Sequence, residues 1–229
     1  MLADDEIARR FREVRDRIAQ AAARARRAPE AIRLVLASKT QPAAAVRAAY
    51  QAGARDFGEN YIQEAAAKRA ELKDLRDTTW HLIGHLQSNK TGLAIRTFDV
   101  IQTLDSVRLA AAIAHQGPSP AMRVLMEINL GDEASKSGIA AGAAESLIEG
   151  AREKTEIIGL MTIPPHSNDA DAARKYFAQL RVLRDRLAAS SGLALSELSM
   201  GMTEDFEVAI EEGATMVRVG RAVFGERPA

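Results

Sequence analysis

Lys39 stands directly after an apolar segment of the sequence, LVLAS, and immediately before a turn. A lysine at the end of a strand often extends its ammonium group into water, and this is the simplest interpretation of the position. A lysine amine can also condense with a carbonyl compound to form a Schiff base. The choice between a solvated lysine and a reactive one depends on the residues that the fold brings next to it.

Two later segments carry residues that could bind phosphate. The first, SMGMTED, contains Ser199, Gly201 and Thr203, and the second, VRVG, ends on Gly220. In parallel barrels, backbone N–H groups in the loops after strands seven and eight commonly bind phosphate, and glycine lets the backbone approach it closely. Small residues of this kind also occur in ordinary turns, so these two segments alone leave both interpretations open.

Arg218 lies in the middle of an apolar segment, TMVRVG. Side chains alternate along a strand, so Val217 and Val219 face one side and Arg218 faces the other. If the valines pack against helices, the guanidinium group points into the interior of the fold. A buried cation is costly unless hydrogen-bond acceptors surround it. A structural ion pair, for example with Glu127, would supply those acceptors, and so would a bound ligand.

His81 and His85 have the spacing of two metal ligands on a helix, but the segment WHLIGHL has the pattern of a strand and a turn. A zinc site takes at least three protein ligands, and no convincing third ligand stands nearby. We therefore expect no metal site, and we assign His81 to packing or to support of the site. Lys136, in the segment SKSG, is a further candidate residue.

The elements that position these residues follow from the hydrophobic pattern. A leading amphipathic helix, predicted over residues 4–27 within the segment 1–28, precedes an alternation of apolar and helical segments. The apolar segments are IRLVLAS, ARDFG, TWHLIG, DVIQTL, MRVLMEINL, EIIGLMTI, LSELSMG and TMVRVG. Helices are predicted between them over residues 42–52, 88–97, 106–115, 139–154 and 169–189, after Asn60, and near Glu204.

Eight strands that alternate with helices indicate right-handed βαβ units and a parallel sheet. Their number and the length of 229 residues predict an α/β fold, a single-domain (β/α)8 TIM barrel with an extra N-terminal helix, and we assign residues 1–229 to one domain. A doubly wound open sheet is the alternative, because the pattern does not reveal whether the sheet closes. In a barrel, Lys39, Asn60, Thr203 and Gly220 would meet at the carboxyl ends of the strands.

Composition narrows the classes of function. The chain has 31 basic and 31 acidic side chains, so its formal net charge is zero, and no basic excess points to a nucleic-acid partner. Cysteine is absent, which is typical of a reducing compartment. The N-terminal segment MLADDEIARR does not have the pattern of a signal peptide, and no apolar run is long enough to cross a bilayer. We expect a cytoplasmic monomer without a membrane partner.

The three chemical features combine in one class of ligand. A phosphorylated aldehyde would react with the lysine amine, fill the phosphate loops and supply acceptor atoms to the arginine. Pyridoxal 5′-phosphate (PLP) is the common example of such a compound. A class I aldolase that acts on a sugar phosphate would also fit the three features.

Seven segments, in this order, resemble those of the PLP homeostasis proteins, which are related to the barrel domain of alanine racemase. They are LVLASKTQP, FGENYIQE, WHLIGHLQSNK, INLGDEASKSG, GLMTIPP, LSMGMTEDFEVAIEEGATMVRVG and AVFG. The resemblance implies a fold type III barrel in which Lys39 carries PLP as an internal aldimine. It implies that Arg218 faces the pyridine nitrogen, that Asn60 and Met161 line the ring, and that His81 lies near the site. The resemblance assigns the phosphate to Ser199, Met202, Thr203, Gly220 and Arg221.

Two positions depart from the pattern of that family. Arg221 stands where many relatives have threonine, which removes a hydroxyl contact but leaves a backbone N–H contact to phosphate. Leu82 replaces a frequent phenylalanine, which we interpret as a change in packing. Neither departure removes a residue on which cofactor binding depends.

The same resemblance implies a protein of intracellular vitamin B6 homeostasis, without efficient catalysis, whose candidate recipients are apo-enzymes that depend on PLP. An arginine against the pyridine nitrogen disfavours protonation of the ring and makes it a poorer electron sink. Racemisation needs an acid/base group on each face of the substrate, and we expect no second domain after the eighth strand to supply the opposite group. A weak PLP-dependent racemase and an aldolase-like lyase are the alternatives.

Overall fold

The structure, a computed structural model, describes residues 2–117, 120–131, 137–165, 167 and 169–226. Its helices are α1 (Asp4–Arg24), α2 (Ala43–Gln51), α3 (Ile62–Glu71), α4 (Thr91–Thr97), α5 (Val107–His115), α6 (Ala144–Ala151), α7 (Arg174–Ser191), α8 (Phe206–Glu211) and α9 (Arg221–Phe224). Its strands are β1 (Arg33–Ala37), β2 (Asp56–Glu59), β3 (Thr79–Leu82), β4 (Val100–Leu104), β5 (Arg123–Asn129), β6 (Ile139–Ala140), β7 (Glu156–Met161), β8 (Glu197–Ser199) and β9 (Met216–Val219). Short 3-10 helices cover Pro29–Ala31, Ser88–Lys90, Ala141–Ala143 and Ala170–Ala173.

Eight parallel strands close into a barrel. Around the barrel the order is β4, β3, β2, β1, β9, β8, β7 and β5, and β4 pairs in turn with β5. This last pairing closes the sheet, so the (β/α)8 prediction is confirmed and the doubly wound alternative is wrong. The remaining strand, β6, is a two-residue segment that pairs in parallel with the end of β5.

The helix predicted over residues 139–154 begins later than its sequence pattern indicates. Ile139 and Ala140 are extended and pair with Ile128 and Asn129 of β5. A 3-10 turn follows, and helix α6 starts only at Ala144. The ladder hydrogen bonds to β5 satisfy the backbone of this segment, and apolar spacing alone does not reveal such a tertiary partner.

Helix α1 packs across the outside of the barrel. Its apolar residues recur at helical spacing, and Ile7, Phe11 and Val14 are buried where the helix contacts α2, α8 and α9. Acidic residues in its first turn interact favourably with the positive end of the helix dipole. Among the described helices, none is both long enough and apolar enough to cross a membrane.

Alternate residues of the strands face the helices and the interior of the barrel. On β9, Val217 and Val219 join the main apolar core beneath the helices, so Arg218 points into the barrel, as the alternation predicts. On β3, Trp80 joins the same core and His81 points inward. The interior therefore holds a layer of polar side chains below the carboxyl ends of the strands.

Candidate functional site

A cavity of about 350 Å³ opens at the carboxyl ends of the barrel strands. Parallel strands end at the same rim, so residues that are far apart in the sequence converge there. Seven of the ten predicted site residues line this cavity, namely Lys39, Asn60, Met202, Thr203, Arg218, Gly220 and Arg221. We therefore treat this cavity as the candidate site.

Close packing of two backbones shapes one wall of the cavity. Strand β1, which leads to Lys39, pairs with β9, and Val35 lies opposite Arg218. A Cβ atom added to Gly220 would lie 3.0 Å from the carbonyl oxygen of Ala37, and both residues line the cavity. Glycine at this position keeps the two strands close and leaves the backbone of β9 open to a ligand.

The turn that carries Lys39 is strained and is held by a side chain from α3. Thr40 has a φ of 64°, in the left-handed region that residues other than glycine rarely adopt. Its backbone N–H donates to Oε1 of Glu64 at 2.6 Å, and the N–H of Gln41 donates to the carbonyl of Ser38 at 3.0 Å. Strained backbone persists only where its surroundings hold it, and here these contacts fix the turn from which Lys39 extends.

A buried ion cluster lies behind this turn. Lys68, on α3, is only 6% exposed, and its ammonium group lies 2.7 Å from an oxygen of Glu59 and 2.7 Å from an oxygen of Glu64. The same ammonium donates to the carbonyl of Ser38 at 2.6 Å. Burial raises the pKa of Glu59, and the hydrogen bond from Lys68 opposes that shift. Lys68 therefore ties α3 to the residue directly before Lys39.

Arg218 forms part of the cavity wall, and only 4% of its surface is exposed. Nη1 donates to Oγ of Ser199 at 2.7 Å, and Nη2 donates to the carbonyl of Thr162 at 2.9 Å. Burial lowers the pKa of Arg218 to about 10, whereas the charges of Asp205 and Glu127 act in the opposite direction. The guanidinium group remains a cation at neutral pH. Its hydrogen-bond acceptors are neutral, so the direct ion pair with Glu127 that the sequence left open is not the arrangement found.

A second cavity, of about 290 Å³, adjoins the first and shares Asn60, Ile83 and Ile163 with it. Glu127 also lines it and is 6% exposed. Within the described part of the chain, Oε2 of Glu127 and Oδ1 of Asn60 are buried without a hydrogen-bond partner. Burial, together with the charge of Asp105, raises the pKa of Glu127 to about 7. The carboxyl group therefore changes its charge near neutral pH.

The substitution Glu127→Gln should raise the free energy of unfolding above pH 7. The folded protein raises the pKa of this carboxyl group from 4.5 to about 7, so it binds the proton more tightly than the unfolded chain does. Stability is therefore lost as the pH rises through this interval. We expect equal stabilities near pH 4, and at pH 8 a variant that is more stable by up to about 3 kcal/mol. Urea unfolding at both pH values measures the difference, and a variant no more stable than wild type at pH 8 would contradict the expectation.

Local hydrogen bonds fold the loop after β8. Gly201 has a φ of 91°, and a Cβ atom there would lie 2.9 Å from Cα of Phe206, so glycine is required. The N–H of Met202 donates to Oδ1 of Asp205 at 2.6 Å. The carbonyl of Gly201 accepts from the N–H of Arg218 at 2.9 Å. These bonds hold the loop after β8 against β9 at the wall of the cavity.

Three predicted site residues, Ser199, His81 and Met161, do not line the cavity but lie inside the barrel. Oγ of Ser199 donates to Oε1 of Gln102 at 2.6 Å and also accepts from Arg218. His81 is fully buried between Asp56 and Gln102. Met161 belongs to a small, fully buried apolar cluster. The contacts with a cofactor that the sequence assigned to these three side chains stay predictions.

Several residues of the cavity wall were not predicted from the sequence. They are Ala37, Gln41, Ile83, Ile163, Glu204, Phe224 and Gly225. Each lies at the end of a strand or a few residues beyond it, a signal that they share with ordinary turn residues. Glu204 forms an ion pair with the side chain of Arg221 at the rim. Lys136, the further candidate from the sequence, lies outside the described residues.

Comparison with known proteins gives a consistent set of relatives. Residues 10–228 match the family model of the alanine racemase N-terminal domain. The chain is 44% identical over 225 residues to the pyridoxal phosphate homeostasis protein of Pseudomonas aeruginosa, with 96% of each chain covered. The structure of PipY from Synechococcus elongatus with PLP bound is similar, with a TM-score of 0.81 and 39% identity over 91% of this chain and 100% of that one. Alanine racemase from Corynebacterium glutamicum is similar in fold alone, with a TM-score of 0.75 and 19% identity over 99% of this chain and 62% of that one.

Proposed function

The chain belongs to the family of pyridoxal phosphate homeostasis proteins, and from this membership we propose that it binds PLP at Lys39 and contributes to intracellular vitamin B6 homeostasis. One observation carries the proposal. The amine of Lys39, the guanidinium of Arg218 and the backbone of Gly220 line a single cavity. A relative of 39% identity, PipY, has a structure with PLP bound, which supports the same ligand here.

The cavity fits the cofactor in chemistry and in size. PLP supplies an aldehyde, with which a lysine amine forms a Schiff base. Arg218 supplies a buried cation that can donate to the pyridine nitrogen. Thr203 and Gly220 supply a hydroxyl group and an uncovered backbone to the phosphate. The volume of about 350 Å³ lies within the range of small-molecule sites, which is about 300–1,000 Å³.

In this proposal each predicted site residue has a defined role. Lys39 holds the aldehyde carbon, and Arg218 faces the pyridine nitrogen. Asn60 borders the ring, and Met161 and His81, which do not line the cavity, support it from inside the barrel. The phosphate contacts come from Met202 and Thr203 in the loop after β8, and from Gly220 and Arg221 after β9. Because the hydroxyl of Ser199 already bonds Arg218 and Gln102, its support of the site acts through Arg218.

The chemistry of Arg218 favours a carrier over an efficient enzyme. A guanidinium group is donor-only and does not give up its proton in the physiological range. Placed against the pyridine nitrogen, it leaves that nitrogen unprotonated, so the ring withdraws electrons less strongly from a substrate. The proposed function is therefore storage or delivery of the cofactor, and its recipients are apo-enzymes that need PLP.

A visible spectrum before and after borohydride reduction tests the proposal. We expect the wild-type protein to absorb visible light after PLP is added and excess PLP is removed. Reduction should abolish that absorbance and leave one labelled peptide that contains Lys39, because borohydride converts the imine to a stable secondary amine. Incubation with L- or D-alanine in deuterated water should give little α-proton exchange. Substantial exchange would favour the racemase, and a protein that remains unlabelled would refute PLP binding.

The proposal extends to the oligomeric state of the protein and to its cellular compartment. A barrel that buries its core between its own strands and helices can be a monomer, and the absence of cysteine agrees with the cytoplasm. Sedimentation velocity at micromolar concentration should give the mass of one chain, 24.8 kDa. The mass of a dimer would contradict the proposed monomeric state. Recovery of the protein outside the cytoplasmic fraction would contradict the proposed cytoplasmic location.

A further inference from the structure

A chain of hydrogen bonds crosses the interior of the barrel and starts at Arg218. Nη1 of Arg218 lies 2.7 Å from Oγ of Ser199, and that oxygen lies 2.6 Å from Oε1 of Gln102. Nε2 of Gln102 lies 3.0 Å from Nδ1 of His81. Nε2 of His81 lies 3.0 Å from Oδ1 of Asp56. We call these five residues, from strands β9, β8, β4, β3 and β2, the interior chain.

The direction of every bond in the interior chain follows from Arg218. A guanidinium group can only donate, so Oγ of Ser199 accepts from it. The single hydroxyl hydrogen of Ser199 is then free for Oε1 of Gln102. This fixes the amide orientation, so Nε2 of Gln102 donates to Nδ1 of His81. Nδ1 of His81 therefore carries no proton, and Nε2 carries the proton that is donated to Asp56.

A second contact of Gln102 supports this amide orientation. Its Nε2 also lies 3.7 Å from the sulfur of Met216, so both amide hydrogens have an acceptor. With the opposite His81 tautomer, Nδ1 would donate, and the amide of Gln102 would have to turn over. Its NH2 group would then face Oγ of Ser199, which would receive two donors and lose the acceptor for its own hydrogen. The tautomer of His81 therefore decides whether Ser199 is correctly bonded beneath Arg218.

Burial makes each of these bonds important. His81, Gln102 and Ser199 are fully buried, so water cannot replace a lost partner. The far end of the interior chain is different, because Asp56 is partly exposed and lies 3.6 Å from Nε of Arg33. The interior chain thus runs from the candidate site to the carboxyl group of Asp56, near the opposite end of the barrel.

We propose that Gln102 and His81 are positioning residues for Arg218, which act through Ser199 and hold the guanidinium in the orientation that faces the cavity. Asp56 holds His81 in the required tautomer. The role of these residues in cofactor binding rests on the proposed function. Their effect on the orientation of the Arg218 guanidinium group does not. A packing role alone would require only the volume of Gln102.

The first test uses the cofactor-free wild-type protein. Long-range ¹H–¹⁵N correlation spectra should show a proton on Nε2 of His81 and none on Nδ1. The chain has four histidines, and loss of one signal set in His81→Asn identifies the resonances. A proton on Nδ1, in the neutral or the charged ring, would overturn the interior chain. This result does not depend on whether PLP binds.

The second test compares Gln102→Leu with Gln102→Glu. Leucine keeps the volume of Gln102 but removes its hydrogen bonds to Ser199 and His81. In the cofactor-free wild type we expect separate NMR signals for the Nη hydrogens of Arg218. In the cofactor-free Leu variant, rotation of the guanidinium group should average these signals. Glutamate still accepts from Ser199, so the signals of these hydrogens should stay resolved in that variant. Resolved Nη hydrogens in Gln102→Leu would overturn the positioning role. If the Leu variant does not fold, the wild type alone provides the test: averaged Nη signals in the wild type would overturn the positioning role.

Cofactor affinity gives a third readout. Gln102→Leu should bind PLP about tenfold more weakly than wild type, the effect of one lost hydrogen bond to a charged group. Gln102→Glu should stay within about threefold of wild type. Equal affinity of the Leu variant and wild type would overturn the role in binding. If wild type itself binds no PLP, the proposed function fails, and the spectra of the cofactor-free protein still decide whether Gln102 and His81 hold Arg218.

Discussion

The Lys39→Ala protein is expected to stay colourless when it is mixed with PLP and desalted, whereas the wild type keeps its visible absorbance. Alanine has no amine, so the aldehyde has no partner with which to form a Schiff base in the cavity. The remaining contacts are non-covalent and release the cofactor on dilution. Lys39 is only partly buried, so the free energy of unfolding should change by no more than about 1 kcal/mol. Absorbance after desalting and urea unfolding measure the two effects.

Lys90→Ala is the matched control for this experiment. Lys90 is an exposed lysine in the short 3-10 helix after β3, close in sequence to a strand end. An exposed amine reacts with free aldehyde only reversibly, so desalting should remove this background from both variants. The Lys90→Ala protein should keep the full absorbance of the wild type. A coloured Lys39→Ala protein, or a colourless Lys90→Ala protein, would refute the assignment of the reactive amine.

The Lys68→Met protein is expected to be less stable than wild type by about 3–5 kcal/mol at pH 8. Methionine keeps much of the volume but removes the ammonium group that contacts Glu59 and the carbonyl of Ser38. Glu59 is fully buried, so its charge would be left without compensation. Cofactor retention should fall as well, because the same ammonium holds the residue before Lys39. Urea unfolding measures the loss of stability.

The loss of stability caused by Lys68→Met should be smaller at low pH. Burial already raises the pKa of Glu59 in the folded protein, and removal of Lys68 raises it further. A raised carboxyl pKa means that stability falls as the pH rises from the unfolded value to the folded one. The deficit of Lys68→Met should therefore grow between pH 5 and pH 8. A deficit that is the same at both pH values would contradict the buried charge as its cause.

Two further variants separate charge from packing. Lys73→Met removes an exposed lysine just beyond the end of the same helix and should change the free energy of unfolding by less than about 0.5 kcal/mol. The double variant Glu59→Gln/Lys68→Met removes both charges and should recover much of the loss, because neutral groups cost less to bury. A double variant as unstable as Lys68→Met would indicate that packing, and not the unpaired carboxylate, causes the loss.

The barrel and the residues that line the candidate cavity could be predicted because their signals are local. Alternation of apolar and helical segments is visible within short windows, and strand polarity places the residues after each strand at one rim. The inward direction of Arg218 follows from its two valine neighbours alone. Lys39 needs only its place after β1. The closure of the sheet is different, because the pairing of β4 with β5 is a tertiary contact.

The supporting residues could not be predicted for a physical reason. Lys68 follows Glu64 by four positions on α3, a spacing that is typical of a solvated helical pair. Its ammonium group is buried only because α3 packs against β2 and lies beside the turn that follows β1. Gln102 on β4 and Ser199 on β8 belong to strands that are not neighbours in the sheet, and their contact exists only once the barrel has closed. No sequence window contains both partners.

The pairing of β1 with β9 determines when the chain becomes competent to hold a ligand. Lys39 follows β1, whereas Arg218 lies on β9, far away in the sequence, and the two strands are neighbours in the barrel. Until β9 docks beside β1, the lysine is an ordinary solvated amine with neither the guanidinium of Arg218 nor the backbone of Gly220 beside it. A contact between strands so far apart in the sequence forms late in folding, because the loop must close before the contact can stabilise the fold. Stable capture of a reactive aldehyde is therefore a property of the closed barrel and not of a partly folded chain.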